Sequence, residues 1–170
     1  DQSLITKKNE GPWYYQMHEV GYNYRITDFQ CAIGSSQLKK LDQFVQKRRE
    51  IAKKYNELFS DVDYLKIPET SATDNNHAYH LYPLLIDYEK LQITKLELFE
   101  KMKQAEINLQ VHYFPVHLQP FYQKNYGFNS GNFPVSENFY RKEVSLPIYP
   151  HLSIENVSFV ANNILEFIFA

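Results

Sequence analysis

Two short stretches of this chain gather side chains able to grip an anion or a flat polar ring. In "GYNYR" (Gly21–Arg25), Asn23 offers amide N–H donors and Arg25 a fork of guanidinium donors, both matched to phosphate oxygens. The helical pattern that follows would add free backbone N–H groups and a favourable dipole. The same residues would also serve as a polar turn, with Arg25 in a surface ion pair. The second stretch is "QVHYFPVHLQPFY" (Gln110–Tyr122), with His112, Tyr113, His117, Gln119 and Tyr122. One reading is a ligand wall, a planar base stacked on tyrosine with histidine and backbone donors turned to phosphate or sugar. The other is a polar edge strand leading into a packed aromatic loop. No cysteine or acid stands near these histidines at zinc-ligand spacing, so no metal site is expected. A histidine-based nucleophilic triad lacks a Ser or Cys in a strained turn, and Walker and Rossmann glycine loops are absent.

Hydrophobic spacing indicates which elements must hold these residues. From Asp28 onward, Phe29, Ile33, Leu41, Phe44, Val45, Ile51, Ala52, Tyr55, Leu58 and Phe59 recur at helical intervals. They predict one long helix, capped by Thr27 or Asp28 and bent near Gly34–Ser36. Residues 60–76, with Pro68, Thr70, Ser71, Asp74 and Asn75, read as a loop. "HAYHLYPLLID" (His77–Asp87) predicts a strand apolar on both faces, Tyr79, Leu81 and Leu85 on one and Tyr82, Leu84 and Ile86 on the other. Pro83 assigns it to an edge or a bulge. Thr94 and Glu97 form a capping box for a helix whose stripe would be Leu96, Phe99 and Met102. In "INLQVHY", Ile107, Leu109, Val111 and Tyr113 alternate with Asn108, Gln110 and His112, which predicts a further strand. A helix near Ser136, an extended "SLPIYP" and a last helix capped by Ser153, carrying Ile154, Val157, Ala161, Ile164 and Ile168, complete the order. The class is α+β, a small sandwich of a short sheet with helices on one side, led by the long helix. Residues 1–26 read as an arm or linker, and 27–170 as the domain.

With 170 residues and a net charge of −2, the chain makes one ordinary domain or two small ones. That balance gives no global electrostatic case for nucleic acid or an anionic membrane. The basic cluster Lys47, Arg48, Arg49, Lys53 and Lys54 reads as a solvated helix face. Cys31 is the single cysteine; it fits a reducing compartment and reads as a small buried apolar residue. No secretory signal or bilayer-spanning apolar run is visible, so the default location is cytoplasmic. The chain opens on Asp in mid-phrase, as a fragment would. Tyr and Phe concentrate between Tyr113 and Tyr149, a composition suited to an interface, a ligand wall or an aromatic core.

Taken in order, "GYNYRITDFQCAIGSSQLKKLDQFVQKRREIAKKY", "HAYHLYPLLI", "LQVHYFPVHLQPFY" and "FYRKEVSLPIYPHLSIENV" resemble the C-terminal part of the DegT/StrS family of sugar aminotransferases. The resemblance runs from about Trp13 to the end, and within the family it is strongest to the pseudaminic-acid subgroup. It implies the small C-terminal domain of a fold-type I enzyme that uses pyridoxal 5'-phosphate and works as a homodimer. The implied substrate is a nucleotide-linked 4-keto-6-deoxy sugar of surface-glycan synthesis, with glutamate as amino donor. Asn23 would reach the cofactor phosphate held by the neighbouring subunit, with Arg25 beside it on a substrate or cofactor phosphate. His112 and Tyr113 would line the sugar-nucleotide pocket. The family's Schiff-base lysine belongs to an N-terminal domain outside this sequence, so no catalytic residue is assigned here and the chain alone should be inert. Two alternatives stay open: a sugar dehydratase of the same family, which has histidine in place of that lysine, and a stand-alone binding module.

Overall fold

A computed structural model describes residues 13–68 and 77–169 of the chain. Residues 1–12 of the arm, and Thr70, Ser71, Asp74 and Asn75 of the expected loop, lie outside the described residues. The chain divides into two units, Asp1–Lys39 and Lys40–Ala170.

In the first unit, residues 14–27 carry no regular structure and lead into α1 (Asp28–Leu38). Thr27 is the cap, and the box is reciprocal: its Oγ1 accepts the Gln30 N–H while Gln30 Oε1 accepts the Thr27 N–H. None of the α1 residues is buried. Cys31 is exposed, contrary to the buried role expected of it. The physical reason is that α1 has no covered face: Phe29 and Ile33, on the side of the helix away from Cys31, are exposed as well. The expected long helix is two helices. Gly34 stays inside α1, and the break falls instead at Lys39 and Lys40, ahead of α2 (Leu41–Phe59).

The second unit is built on α2 and α7 (Ile154–Ile168), which pack on each other, with α4 (Lys95–Gln104) against α7. From α2 come Ile51, Ala52, Tyr55 and Phe59; from α7 come Val157, Val160, Ala161, Ile164 and Ile168. Ile154, expected on that face, is exposed because the first turn of α7 precedes the contact. On α4 the buried residues are Leu98 and Met102; Leu96 is exposed and Phe99 only half-buried, which shifts the stripe off the expected set. Thr94 and Glu97 make the capping box as expected.

The sheet has three antiparallel strands in the order β1 (Leu65–Lys66), β2 (Tyr82–Ile86), β3 (Glu143–Leu146). Short helices α3 (Tyr88–Leu91), α5 (Pro120–Tyr126) and α6 (Pro134–Lys142) and a 3-10 turn at Val116–Leu118 fill connections among the described residues. One sheet face joins the core through Tyr82, Leu84, Ile86, Val144 and Leu146. The Tyr55 ring lies 4.8 Å from Tyr82 and 6.0 Å from Phe59. Of the buried phenols, Tyr55 donates to the Pro147 carbonyl at 3.0 Å and Tyr82 to Asn56 Oδ1 at 2.7 Å, whereas the Tyr88 hydroxyl has no hydrogen-bond partner among the described residues.

β2 is the central strand, so Pro83 sits neither at an edge nor in a bulge. Parity explains how. The Asp87 N–H donates to the Tyr64 carbonyl on the β1 flank, and two-residue alternation turns the Pro83 nitrogen to that same flank. There β1 has already ended at Lys66, so no ladder bond is lost. The strand is also shorter than expected, because Tyr79 takes a left-handed φ of 46° that ends the pleat. The strand expected over Ile107–Tyr113 reduces to one bridge, Gln110 to Ser145.

Candidate functional site

Asn23 and Arg25 belong to the arm. The Arg25 backbone N–H donates to Asn23 Oδ1 at 3.0 Å, a local turn that engages the acceptor half of the carboxamide. Its NH2 group then remains to donate, and the Arg25 guanidinium has no hydrogen-bond partner among the described residues. At the start of α1 the capping box takes up the N–H groups of Thr27 and Gln30; those of Asp28 and Phe29 have no hydrogen-bond partner among the described residues, but the Asp28 carboxylate in the first turn opposes an anion there. Of the candidate side chains, Asn23 and Arg25 keep donors for an anion.

His112 and Tyr113 belong to the second unit, where the Gln110–Ser145 bridge brings their segment alongside β3. Two residues beyond that bridge His112 comes opposite Glu143. The His112 N–H donates to Glu143 Oε2 at 3.1 Å, its Nδ1 lies 2.8 Å from Ser145 Oγ, and the Ser145 hydroxyl donates to Glu143 Oε1. Glu143 is fully buried and Ser145 nearly so. Lys95 adds a positive charge: its Nζ donates to the carbonyls of Tyr140 and Glu143 and stands 5.0 Å from the Tyr140 ring. Burial holds the Lys95 pKa below the ordinary lysine value, and attraction to Glu143 offsets part of that. The peptide between His112 and Tyr113 is cis, and their rings meet edge-on at 4.6 Å. Tyr113 is 73% exposed, so its ring face is open to a ligand.

His117 does not join this group. It is buried against Glu137, Nε2 to Oε1 at 2.9 Å, with the Phe133 ring 4.7 Å away. Glu137 also accepts from Ser130 Oγ and from the N–H groups of Gly131 and Phe133. Its pKa is lowered from 4.5 to about 2, first by the His117 hydrogen bond and then by those of Gly131, Ser130 and Phe133, with burial opposing. Here histidine and carboxylate lock the loop between α5 and α6. Tyr122, stacked on Tyr126 at 5.8 Å, is part of an aromatic row rather than of the His112 group.

The basic cluster is likewise not uniformly solvated. Arg48 Nη1 donates to the carbonyls of Tyr79, His80 and Ile148, at 3.1, 3.2 and 2.9 Å, and Arg49 Nε to that of His77 at 3.0 Å. Glu143, Ser145 and Glu137 were missed from sequence. For the first two a signal existed, since "EVSL" alternates polar and apolar residues as a half-buried strand does; nothing local marked Glu137. Among the described residues no group of three or more His, Cys, Asp or Glu could hold a metal ion, and no helix is long and apolar enough to cross a membrane.

The sequence profile of the DegT/DnrJ/EryC1/StrS aminotransferase family matches residues 4–165. Protein MJ1066 of Methanocaldococcus jannaschii is 43% identical over 94% of this chain and 41% of its own length. The UDP-4-amino-4,6-dideoxy-N-acetyl-beta-L-altrosamine transaminase of Campylobacter jejuni is 36% identical over 91% of this chain and 40% of its own. Among solved structures, Helicobacter pylori PseC, an aminotransferase of pseudoaminic acid biosynthesis, superposes with a TM-score of 0.83 at 29% identity, over 95% of this chain and 42% of that one. The chain thus spans about two fifths of the length of the curated relatives it matches. With the profile covering nearly its whole length, and its helices and short sheet superposing on a solved aminotransferase, the chain belongs to the DegT/DnrJ/EryC1/StrS aminotransferase family.

Proposed function

We propose that this chain is the C-terminal domain of a pyridoxal-phosphate-dependent aminotransferase that aminates a nucleotide-linked 4-keto-6-deoxy sugar. In this reading the lysine that carries the cofactor lies in the remaining length of the protein, and the working form is a homodimer with shared sites. The pseudaminic-acid transaminases among its relatives favour a sugar of that kind, used in a surface glycan. A cytoplasmic location follows, since nucleotide sugars and the amino donor glutamate are found there.

The observation that carries the proposal is the turn at Asn23. With Oδ1 turned to the Arg25 N–H, the carboxamide NH2 points away from that bond and is left to donate, which is what a phosphate needs. Asn23 and Arg25 therefore fit the cofactor phosphate, held across the dimer. When bound, pyridoxal phosphate supplies the electron sink and carries the amine. This chain's part is to hold and orient. Asn23 donates to a phosphate oxygen, Arg25 adds positive charge beside it, Tyr113 offers its exposed ring to the base or sugar, and His112 stands at the pocket wall.

The test is Asn23→Ala in the intact protein. Losing one hydrogen bond to a charged group, about 1.5–3 kcal/mol, should weaken cofactor retention by roughly 10- to 100-fold. Equilibrium dialysis followed by cofactor absorbance measures this without reference to turnover. Mixing that variant with one lacking the cofactor lysine should restore activity through hybrid dimers. Proven subunit exchange without any recovery would place the phosphate contact within one subunit and refute the shared site.

A further inference from the structure

β3 alternates two kinds of residue. Val144 and Leu146 enter the core, while Glu143 and Ser145 point to the other face and are buried there. Buried polar groups on a strand call for partners, and the partner of both is His112. The order of donation follows from counting hydrogens. Glu143 takes the His112 N–H on Oε2 and the Ser145 hydroxyl on Oε1, and a carboxylate only accepts. The one hydroxyl hydrogen of Ser145 is then committed to Glu143. Toward His112 Nδ1, 2.8 Å away, Ser145 Oγ can only accept, so Nδ1 must carry the ring hydrogen. In the neutral ring Nε2 is then a bare acceptor, and it has no hydrogen-bond partner among the described residues. Lys95, whose Nζ donates to the Glu143 carbonyl at 2.9 Å, supplies the positive charge beside the buried acid.

We infer that Glu143, acting through Ser145, is the positioning residue that fixes His112 in its Nδ1–H form, so that this wall recognises a hydrogen-bond donor. A sugar hydroxyl or an N–H of the substrate fits a bare Nε2; a phosphate oxygen, itself an acceptor, does not. Of the phosphate or sugar that the sequence offers as partners of this histidine, the sugar is kept and the phosphate dropped, and the inference rests on the proposed reading that His112 faces the nucleotide sugar.

Two measurements on the intact holoenzyme separate the relay from that reading. The first is solid-state 15N NMR of protein labelled at histidine, with the His112 signals assigned by their loss in His112→Asn. The wild type should show a protonated Nδ1 and a bare Nε2. Ser145→Ala should move the ring toward the Nε2–H form, and Ser145→Thr, which keeps the hydroxyl, should restore the original pattern. Glu143→Gln, of nearly the same shape, should disturb it in the same direction as Ser145→Ala, and serves if either Ser145 variant folds poorly. A wild-type Nε2–H ring, or a tautomer indifferent to both Ser145→Ala and Glu143→Gln, overturns the relay. The second measurement is steady-state kinetics with a nucleotide-linked 4-keto-6-deoxy sugar. Ser145→Ala should raise KM about tenfold, the worth of roughly one hydrogen bond, and change kcat little, with Ser145→Thr recovering it. A shifted tautomer with unchanged KM leaves the relay standing and removes His112 from the substrate wall.

Discussion

Arg48 and Arg49 are adjacent, equally charged and indistinguishable by composition, yet the structure assigns them very different weights. Arg48 joins α2 to two other segments, the approach to β2 through the carbonyls of Tyr79 and His80 and the exit from β3 through that of Ile148. One guanidinium nitrogen has fewer hydrogens than these three carbonyls, so the contacts amount to about two hydrogen bonds. A hydrogen bond to a charged group is worth about 1.5–3 kcal/mol, and Arg48 is only half-buried, so solvent returns part of the loss. Arg48→Ala should then cost about 2–3 kcal/mol. Arg49 makes a single exposed contact to the His77 carbonyl, and Arg49→Ala should cost below about 0.5 kcal/mol. Urea unfolding followed by far-ultraviolet circular dichroism reads the difference. With a slope of about 2 kcal/mol per molar, Arg48→Ala should lower the midpoint by about 1 M and Arg49→Ala by under about 0.3 M. Arg48→Lys keeps the charge but not the planar donor, and should recover less than half of the loss. Equal, small shifts for the two alanine variants would refute the reasoning and return the cluster to a solvated face.

Glu137 gives a pH signature. Its folded pKa of about 2 lies below its ordinary 4.5, so its stabilisation is complete above about pH 4.5 and is lost as pH falls toward 2. Over that window Glu137→Gln should flatten the fall in melting temperature with acid; a fall as steep as the wild type's would show that the lock with His117 contributes nothing. Thr94→Ala removes the side chain that accepts the Glu97 N–H and should cost about 1 kcal/mol, seen as a drop of about 2–4 °C in melting temperature.

The parts of the fold that were legible in the sequence are those in which one residue's chemistry acts locally. Thr27, Thr94 and Ser153 cap helices because a side-chain oxygen reaches its own chain's N–H groups a few positions on, and no other element is needed. The family resemblance was legible for a related reason, since its motifs are continuous runs. What was misread depends on neighbours distant in sequence. An apolar run from Tyr79 to Ile86 has no way of declaring that Tyr79 turns left-handed, or that β1 stops short and leaves Pro83 unchallenged. The same holds for the site. His112 stood out as a polar residue on an alternating segment, but its role is set by two residues on β3, and only the antiparallel bridge between Gln110 and Ser145 brings them opposite. A wall built by one segment would have left the imidazole free to present either nitrogen. With β3 beside it and a buried acid behind a serine, the inferred relay presents one, and in the proposed reading what the wall recognises is decided by Glu143, a residue that touches His112 without itself being exposed.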